Sequence, residues 1–117
     1  MKKVLVTGGA GFIGSNLVDT LINRGIEVII IDNLSTGKSE NIHKKATFLQ
    51  LDLSDIDLNK LINILDGVEV IFHLAALARV QPSIQNPLPY HSSNVTATLN
   101  ILYAAHKAKV KRIVYSA

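Results

Sequence analysis

The chain has no cysteine among its 117 residues. Disulfides, thiolate metal sites and thiol catalysis are therefore excluded, and the composition fits a cytoplasmic protein. Aromatic residues make up 5% of the sequence and charged residues 18%. There is no run of eighteen apolar residues, so no membrane-spanning helix is expected. The basic start Met1-Lys2-Lys3 leads into an apolar stretch that breaks at Thr7-Gly8-Gly9. That pattern reads as a strand rather than a signal peptide. The net charge is +3, and Lys107, Lys109, Lys111 and Arg112 hold much of the excess. These cations suit a helix C-terminus, and no aromatics interleave with them as a single-strand nucleic-acid binder requires, so no nucleic-acid partner is expected. His43, His73, His91 and His106 form no metal-ligand spacing with an acidic pair, so no metal is expected.

What is present is a core: 48% of the residues are hydrophobic. This is enough for one domain, taken as residues 1–117. Apolar runs alternate with helical periods from end to end. Strands are expected at about Lys3–Thr7, Glu27–Asp32, Thr47–Leu51, Val68–Leu74 and Lys111–Ser116. Helices are expected from about Gly11 to Arg24, with Ile13, Leu17, Leu21 and Ile22 inward and Gly25 as the stop. A second should run from an N-cap at Ser54 or Asp55 to about Leu65, ended by Gly67. A third should begin at Leu88 or Tyr90 and reach Lys107. Asn33 to Lys45 is a polar loop with room for one helical turn. Pro82, Pro87 and Pro89 interrupt the segment before the third helix. Strands apolar on both faces and joined by helices imply an α/β fold, a doubly wound parallel sheet of Rossmann type with strand order 3-2-1-4-5. The ligand crevice then lies beyond the carboxyl ends of strands one and four, where the order reverses.

The first strand runs directly into Gly8-Gly9-Ala10-Gly11-Phe12-Ile13-Gly14. The glycines fit both Gly9-x-Gly11-x-x-Gly14 and Gly8-x-x-Gly11-x-x-Gly14. Strand, glycine turn and helix together suit a dinucleotide pyrophosphate, because bare backbone amides and the positive helix end face the phosphates. Asp32 closes the second strand, eighteen residues after Gly14. A carboxylate there can accept from both adenosine ribose hydroxyls, although a cap or turn role in Asp32-Asn33-Leu34-Ser35-Thr36-Gly37 is the plain alternative. It would repel a 2′-phosphate by about 4 kcal/mol at about 4 Å and an effective dielectric near about 20, which favours NAD over NADP.

Thr7 to Gly14, Asp32 to Gly37, Asp52-Leu53, His73-Leu74-Ala75-Ala76 and Asn94 to Asn100 together resemble the extended short-chain dehydrogenase/reductases. Within them the chain is most similar to the NAD-dependent epimerase/dehydratase family, of UDP-glucose 4-epimerase type. The resemblance implies that Gly8, Gly11 and Gly14 form the turn and that the backbone at Phe12 and Ile13 meets the pyrophosphate. Asp32, Asn33, Leu34, Ser35, Thr36 and Gly37 would wrap the adenosine ribose. Asp52 would bind the adenine amino group and Leu53 its ring. Leu74, Ala75, Ala76, Leu77 and Ala78 would line the cofactor, and Asn94 would support the adenine side. Asp52 could equally be a cap for the next helix, and His73 reads as a hydrogen-bonded strand-end residue rather than a base.

The family's catalytic Tyr-x-x-x-Lys pair follows the fifth strand. Tyr103-Ala104-Ala105-His106-Lys107 matches the string but precedes that strand, on the wrong end of a helix. The sequence reaches Tyr115-Ser116-Ala117 where the catalytic segment would begin. The resemblance therefore implies the NAD-holding portion of a nucleotide-sugar epimerase or dehydratase, without catalytic residues and without the substrate domain. A nucleotide sugar would be a partner only of the complete enzyme. The alternative is a non-catalytic NAD-binding or interaction module, or an inactive remnant. The fifth strand would be left as an open sheet edge, so self-association through Ile113 to Tyr115 is expected.

Overall fold

The computed structural model describes residues 2–34, 39–74 and 87–115, with backbone alone for 87–94. The elements run β1 (Lys3–Thr7), α1 (Phe12–Asn23), β2 (Glu27–Asp32), a 3-10 turn (Ser39–Asn41), β3 (Thr47–Gln50), α2 (Leu58–Ile64), β4 (Val70–His73), α3 (Pro87–Ala108) and β5 (Arg112–Tyr115). The strands form one parallel sheet in the order β3-β2-β1-β4-β5.

Strand side chains alternate between faces, so each strand feeds two cores. Val4, Val6, Val28, Ile30 and Val70 pack with Val18 and Leu21 of α1. Leu5, Ile29, Ile31 and Ile71 pack on the opposite face with Leu61 of α2 and Ile101, Ala104 and Ala105 of α3. Burial on both faces explains why β1 and β2 read as unbroken apolar runs. Thr7 is in register with Ile31 on one side and His73 on the other, while Asp32 is opposite Gln50. The carboxyl ends of β1, β2, β3 and β4 are thereby brought level.

The helices differ from the sequence reading at three points. α3 begins at Pro87, so Pro87 and Pro89 lie in its first turn, where no intrahelical amide bond is lost, rather than in the segment before it. The buried stripe of α1 is Gly14, Val18 and Leu21, with Leu17 and Ile22 half-buried, whereas Ile13 faces out and is 58% exposed. Ile13 lies in the first turn of α1, on the side away from the buried stripe. The N-cap of α2 is Asp57, not Ser54 or Asp55; one of its oxygens accepts from the amides of Asn59 (2.8 Å) and Lys60 (3.3 Å). Ser54 is already engaged by Asp52 Oδ1, through its amide at 2.9 Å and its hydroxyl at 2.6 Å. The turn that sequence placed inside the helix therefore forms before it. Gly25 and Gly67 end α1 and α2 as expected, both with left-handed backbone (φ 79° and 80°).

β5 closes the sheet order on one side. Ile113 is half-buried against the α2 and α3 core, but Val114 and Tyr115 are 41% and 52% exposed. A pocket of about 330 Å³ lies beside this strand, lined by His73, Thr98, Ile101, Leu102, Ile113 and Tyr115. Among the described residues, no helix is long and apolar enough to cross a membrane.

Candidate cofactor site

The glycine turn sits at the carboxyl end of β1. Gly8 is left-handed (φ 75°), and its amide extends the sheet ladder to the Ile31 carbonyl at 2.9 Å. The Gly11 amide then returns to the Gly8 carbonyl at 3.1 Å, which folds the chain into the start of α1. Gly14 presses directly on that turn: a Cβ at this position would run into the Gly8 carbonyl and lie 3.0 Å from the Gly9 Cα. The fold itself thus requires glycine at 8 and 14.

Gly11 is different. Its backbone is extended (φ −78°, ψ 173°), a conformation open to any residue, and a Cβ there would meet only the Gly8 oxygen, at 3.4 Å. As N-cap of α1 it offers no side-chain acceptor, and the first turn carries no acidic residue. The opening amides of α1 therefore face outward with neither cap nor carboxylate, the condition in which a helix N-terminus can take an anion. Phe12, 82% exposed, stands with Ile13 at this opening.

Asp32 is joined to this turn. The residue is buried, 7% exposed. Its Oδ2 accepts from the Ala10 amide at 3.0 Å and its Oδ1 from the Leu34 amide at 2.7 Å. The carboxylate therefore locks the glycine turn to the end of β2, a role that its position in the sequence does not reveal. Each oxygen keeps a second lone pair, so ribose hydroxyls can still be accepted. Leu34 has left-handed backbone (φ 62°), which turns the chain sharply after the buried end of β2. Asn33 is exposed beside it.

The residues expected on the adenine side follow β3. Asp52 is exposed and its Oδ1 holds Ser54, so it organises the turn ahead of α2 without capping that helix. Leu53 is buried, and its carbonyl accepts from Asn100 Nδ2 of α3 at 2.7 Å. Leu74 is buried after β4, with its amide donating to the Thr7 carbonyl at 3.2 Å. The structure brings Gly8, Gly11, Phe12, Ile13, Gly14, Asp32, Asn33, Leu34, Asp52, Leu53 and Leu74 to the carboxyl ends of four neighbouring strands. Ser35, Thr36, Gly37, Ala75, Ala76, Leu77 and Ala78 lie outside the described residues, as does the Asn94 side chain. Asn41 and Asn100 donate to the Ala10 and Leu53 carbonyls, whereas the sequence shows the first only as part of a polar loop and the second only as the end of the Asn94 to Asn100 segment. Nothing in residue type or spacing marks an asparagine that serves a distant backbone carbonyl.

His73 joins four elements. Its Nδ1 lies 2.8 Å from the Thr7 hydroxyl and its Nε2 3.2 Å from the Thr98 hydroxyl, and its ring centroid is 5.7 Å from that of Tyr115. Burial lowers its pKa to about 4. The folded value lies below the unfolded one, so the contribution of neutral His73 is complete above about pH 6.5 and is lost as pH falls toward the folded pKa. The total at stake is about 3 kcal/mol. Thermal melts at pH 7 and pH 4.5 should therefore show a larger loss for wild type than for His73→Gln. Equal losses would remove His73 from the acid response. Tyr103, by contrast, is 47% exposed with Lys107 Nζ 5.6 Å above its ring, near the α3 terminus that is stitched through Lys111 to Glu69 at the amino end of β4. It is remote from the glycine turn.

The sequence profile of the NAD-dependent epimerase/dehydratase family matches residues 4–117. The chain belongs to the NAD-dependent epimerase/dehydratase family. A UDP-glucose 4-epimerase homologue of Methanocaldococcus jannaschii is 48% identical over 113 residues, covering 97% of this chain and 37% of the relative. The UDP-glucose 4-epimerase of Thermotoga maritima, solved with UDP-glucose, superposes with a TM-score of 0.91 at 40% identity, over 98% of this chain and 37% of that one. The Thermus thermophilus UDP-glucose 4-epimerase in complex with NAD gives a TM-score of 0.84 at 39% identity, over 95% and 36%. The chain thus spans somewhat more than a third of the length of these epimerase/dehydratase relatives.

Proposed function

We propose that this chain binds NAD(H) and forms the cofactor-holding portion of a nucleotide-sugar epimerase or dehydratase of UDP-glucose 4-epimerase type. The observation that carries this reading is Gly11: the fold leaves room for a side chain there, and an approaching ligand is what an open, uncapped helix start accommodates. The Phe12 and Ile13 amides would take the pyrophosphate. Asp32, with Asn33 and Leu34 and the following Ser35, Thr36 and Gly37, would hold the adenosine ribose. Asp52 and Leu53 would meet the adenine, Leu74 to Ala78 would line the cofactor, and Asn94 would support it. The carboxylate of Asp32 favours NAD over NADP. Bound NAD supplies a reversible hydride acceptor for a sugar carbon.

This chain's own part in that chemistry is binding and orientation. Tyr103 and Lys107 lie away from the ligand face, so no turnover is expected from these residues alone. A non-catalytic NAD-binding or interaction module, self-associating through β5, is the second reading. NAD at a hundred times its dissociation constant should raise stability by about 2.7 kcal/mol. Thermal melts of the pure chain with and without NAD test this, and an unmoved melt would count against the reading. Light scattering on a dilution series of the same samples reports on association through β5; a monomer throughout would remove that proposal.

A further inference from the structure

Ala10 is fully buried in the middle of the glycine turn, and its peptide groups are held from two directions. Its amide donates to Asp32 Oδ2 at 3.0 Å. Its carbonyl accepts from Asn41 Nδ2 at 3.2 Å, across thirty-one residues. That carbonyl belongs to the same peptide unit as the Gly11 amide, which donates to the Gly8 carbonyl. The Ala10–Gly11 peptide is therefore pinned at both ends, by Asn41 on its oxygen and by Gly8 on its nitrogen. Because a peptide unit is planar, fixing these two atoms fixes its orientation once the Ala10 Cα is held as well, through the Ala10 amide on Asp32. The direction in which α1 begins follows from it.

Asn41 is itself well anchored. It ends the 3-10 turn Ser39–Asn41, and the next residue, Ile42, packs on the apolar core beneath α1 and returns its amide to the Ser39 carbonyl at 3.2 Å. Asn41 is an exposed residue whose side-chain amide donates to the Ala10 carbonyl. A residue of this kind is free to vary as far as the core is concerned.

We propose that Asn41 is a positioning residue for the cofactor turn: by holding the Ala10 carbonyl it aims the opening amides of α1 at the ligand's phosphates. This rests on the NAD reading above. Its effect should depend on phosphate, since adenosine lacks the group those amides serve. In Asn41→Ala the affinities for NAD and ADP should fall by about tenfold, while adenosine binding is unchanged. In the ligand-free protein the Gly11 amide should exchange its hydrogen faster than in wild type, because the pinned peptide is released at one end.

Titration with NAD, ADP and adenosine, together with amide exchange by NMR, tests this. Unchanged NAD and ADP affinity with unchanged Gly11 exchange would overturn the proposal. A parallel loss of all three ligands would also overturn it, since Asn41 would then be merely structural. Wild type that binds neither NAD nor ADP would refute the cofactor reading instead. Faster Gly11 exchange in the variant would even then uphold the role of Asn41 in orienting the turn, and unchanged exchange would end it.

Discussion

Gly14→Ala should lower the melting temperature by about 15 °C or leave the chain unfolded, whereas Gly11→Ala should fold almost as wild type and lose NAD. The new Cβ at position 14 would collide with the backbone of Gly8 and Gly9 rather than with a movable side chain. Overpacking against backbone falls at the costly end of such substitutions, about 3 kcal/mol or more. At position 11 the methyl group meets ordinary contact distance, and the extended backbone accepts alanine without strain. Its effect on folding should stay within about 1 kcal/mol, the poorer cap being partly offset by a stiffer unfolded chain. NAD affinity should nevertheless fall by about tenfold or more, because the methyl group would stand where the phosphates approach. Circular dichroism melts and NAD titration separate the two effects. A stable Gly14→Ala would refute the packing argument, and full NAD binding by Gly11→Ala would refute the cradle.

Asp32→Ala should damage stability and cofactor binding together, and Asp32→Asn should separate them. Removing the carboxylate leaves the amide of fully buried Ala10 without its acceptor, along with the Leu34 amide. An unsatisfied buried donor costs about 1–3 kcal/mol. Asparagine retains one acceptor oxygen and carries no charge. It should recover part of the stability and relax the preference for NAD over NADP by about tenfold, since the repulsion of a 2′-phosphate is gone. Melts and parallel titrations with NAD and NADP provide the measurement. Wild type that binds NADP as well as NAD would overturn the specificity argument, and an Asp32→Ala melt equal to wild type would overturn the structural one.

The acid response of His73 and the positioning role of Asn41 share a feature with Asp32. In each case one side chain joins segments that lie far apart in the chain: 66 residues for Thr7 and His73, 31 for Ala10 and Asn41, 22 for Ala10 and Asp32. The glycine turn is therefore fastened to β2, β4 and the 3-10 turn before any ligand arrives. Such preorganisation reduces what binding must spend on ordering the loop.

The sequence alone was sufficient for β1 and β2, residue for residue, and for the strand order, because apolar runs, helical periods and right-handed crossovers are local or general constraints. It also marked Gly8, Gly14 and Asp32, since a left-handed turn, a close helix–turn approach and a carboxylate at a strand end each demand particular residue types. Tertiary structure decided the rest. Whether Ser54 or Asp57 capped α2 depended on Asp52 engaging Ser54 first. Whether Ile13 faced the core depended on which side of the first turn of α1 met the sheet, and that side carries Gly14. The second role of Asp32 and the partners of Asn41, Asn100 and His73 depended on which carbonyls, amides and hydroxyls the packed strands and helices brought within about 3 Å of them. Periodicity determines which face of an element is apolar; it carries no record of which backbone oxygen a distant asparagine will meet, because that distance exists only once the sheet has assembled.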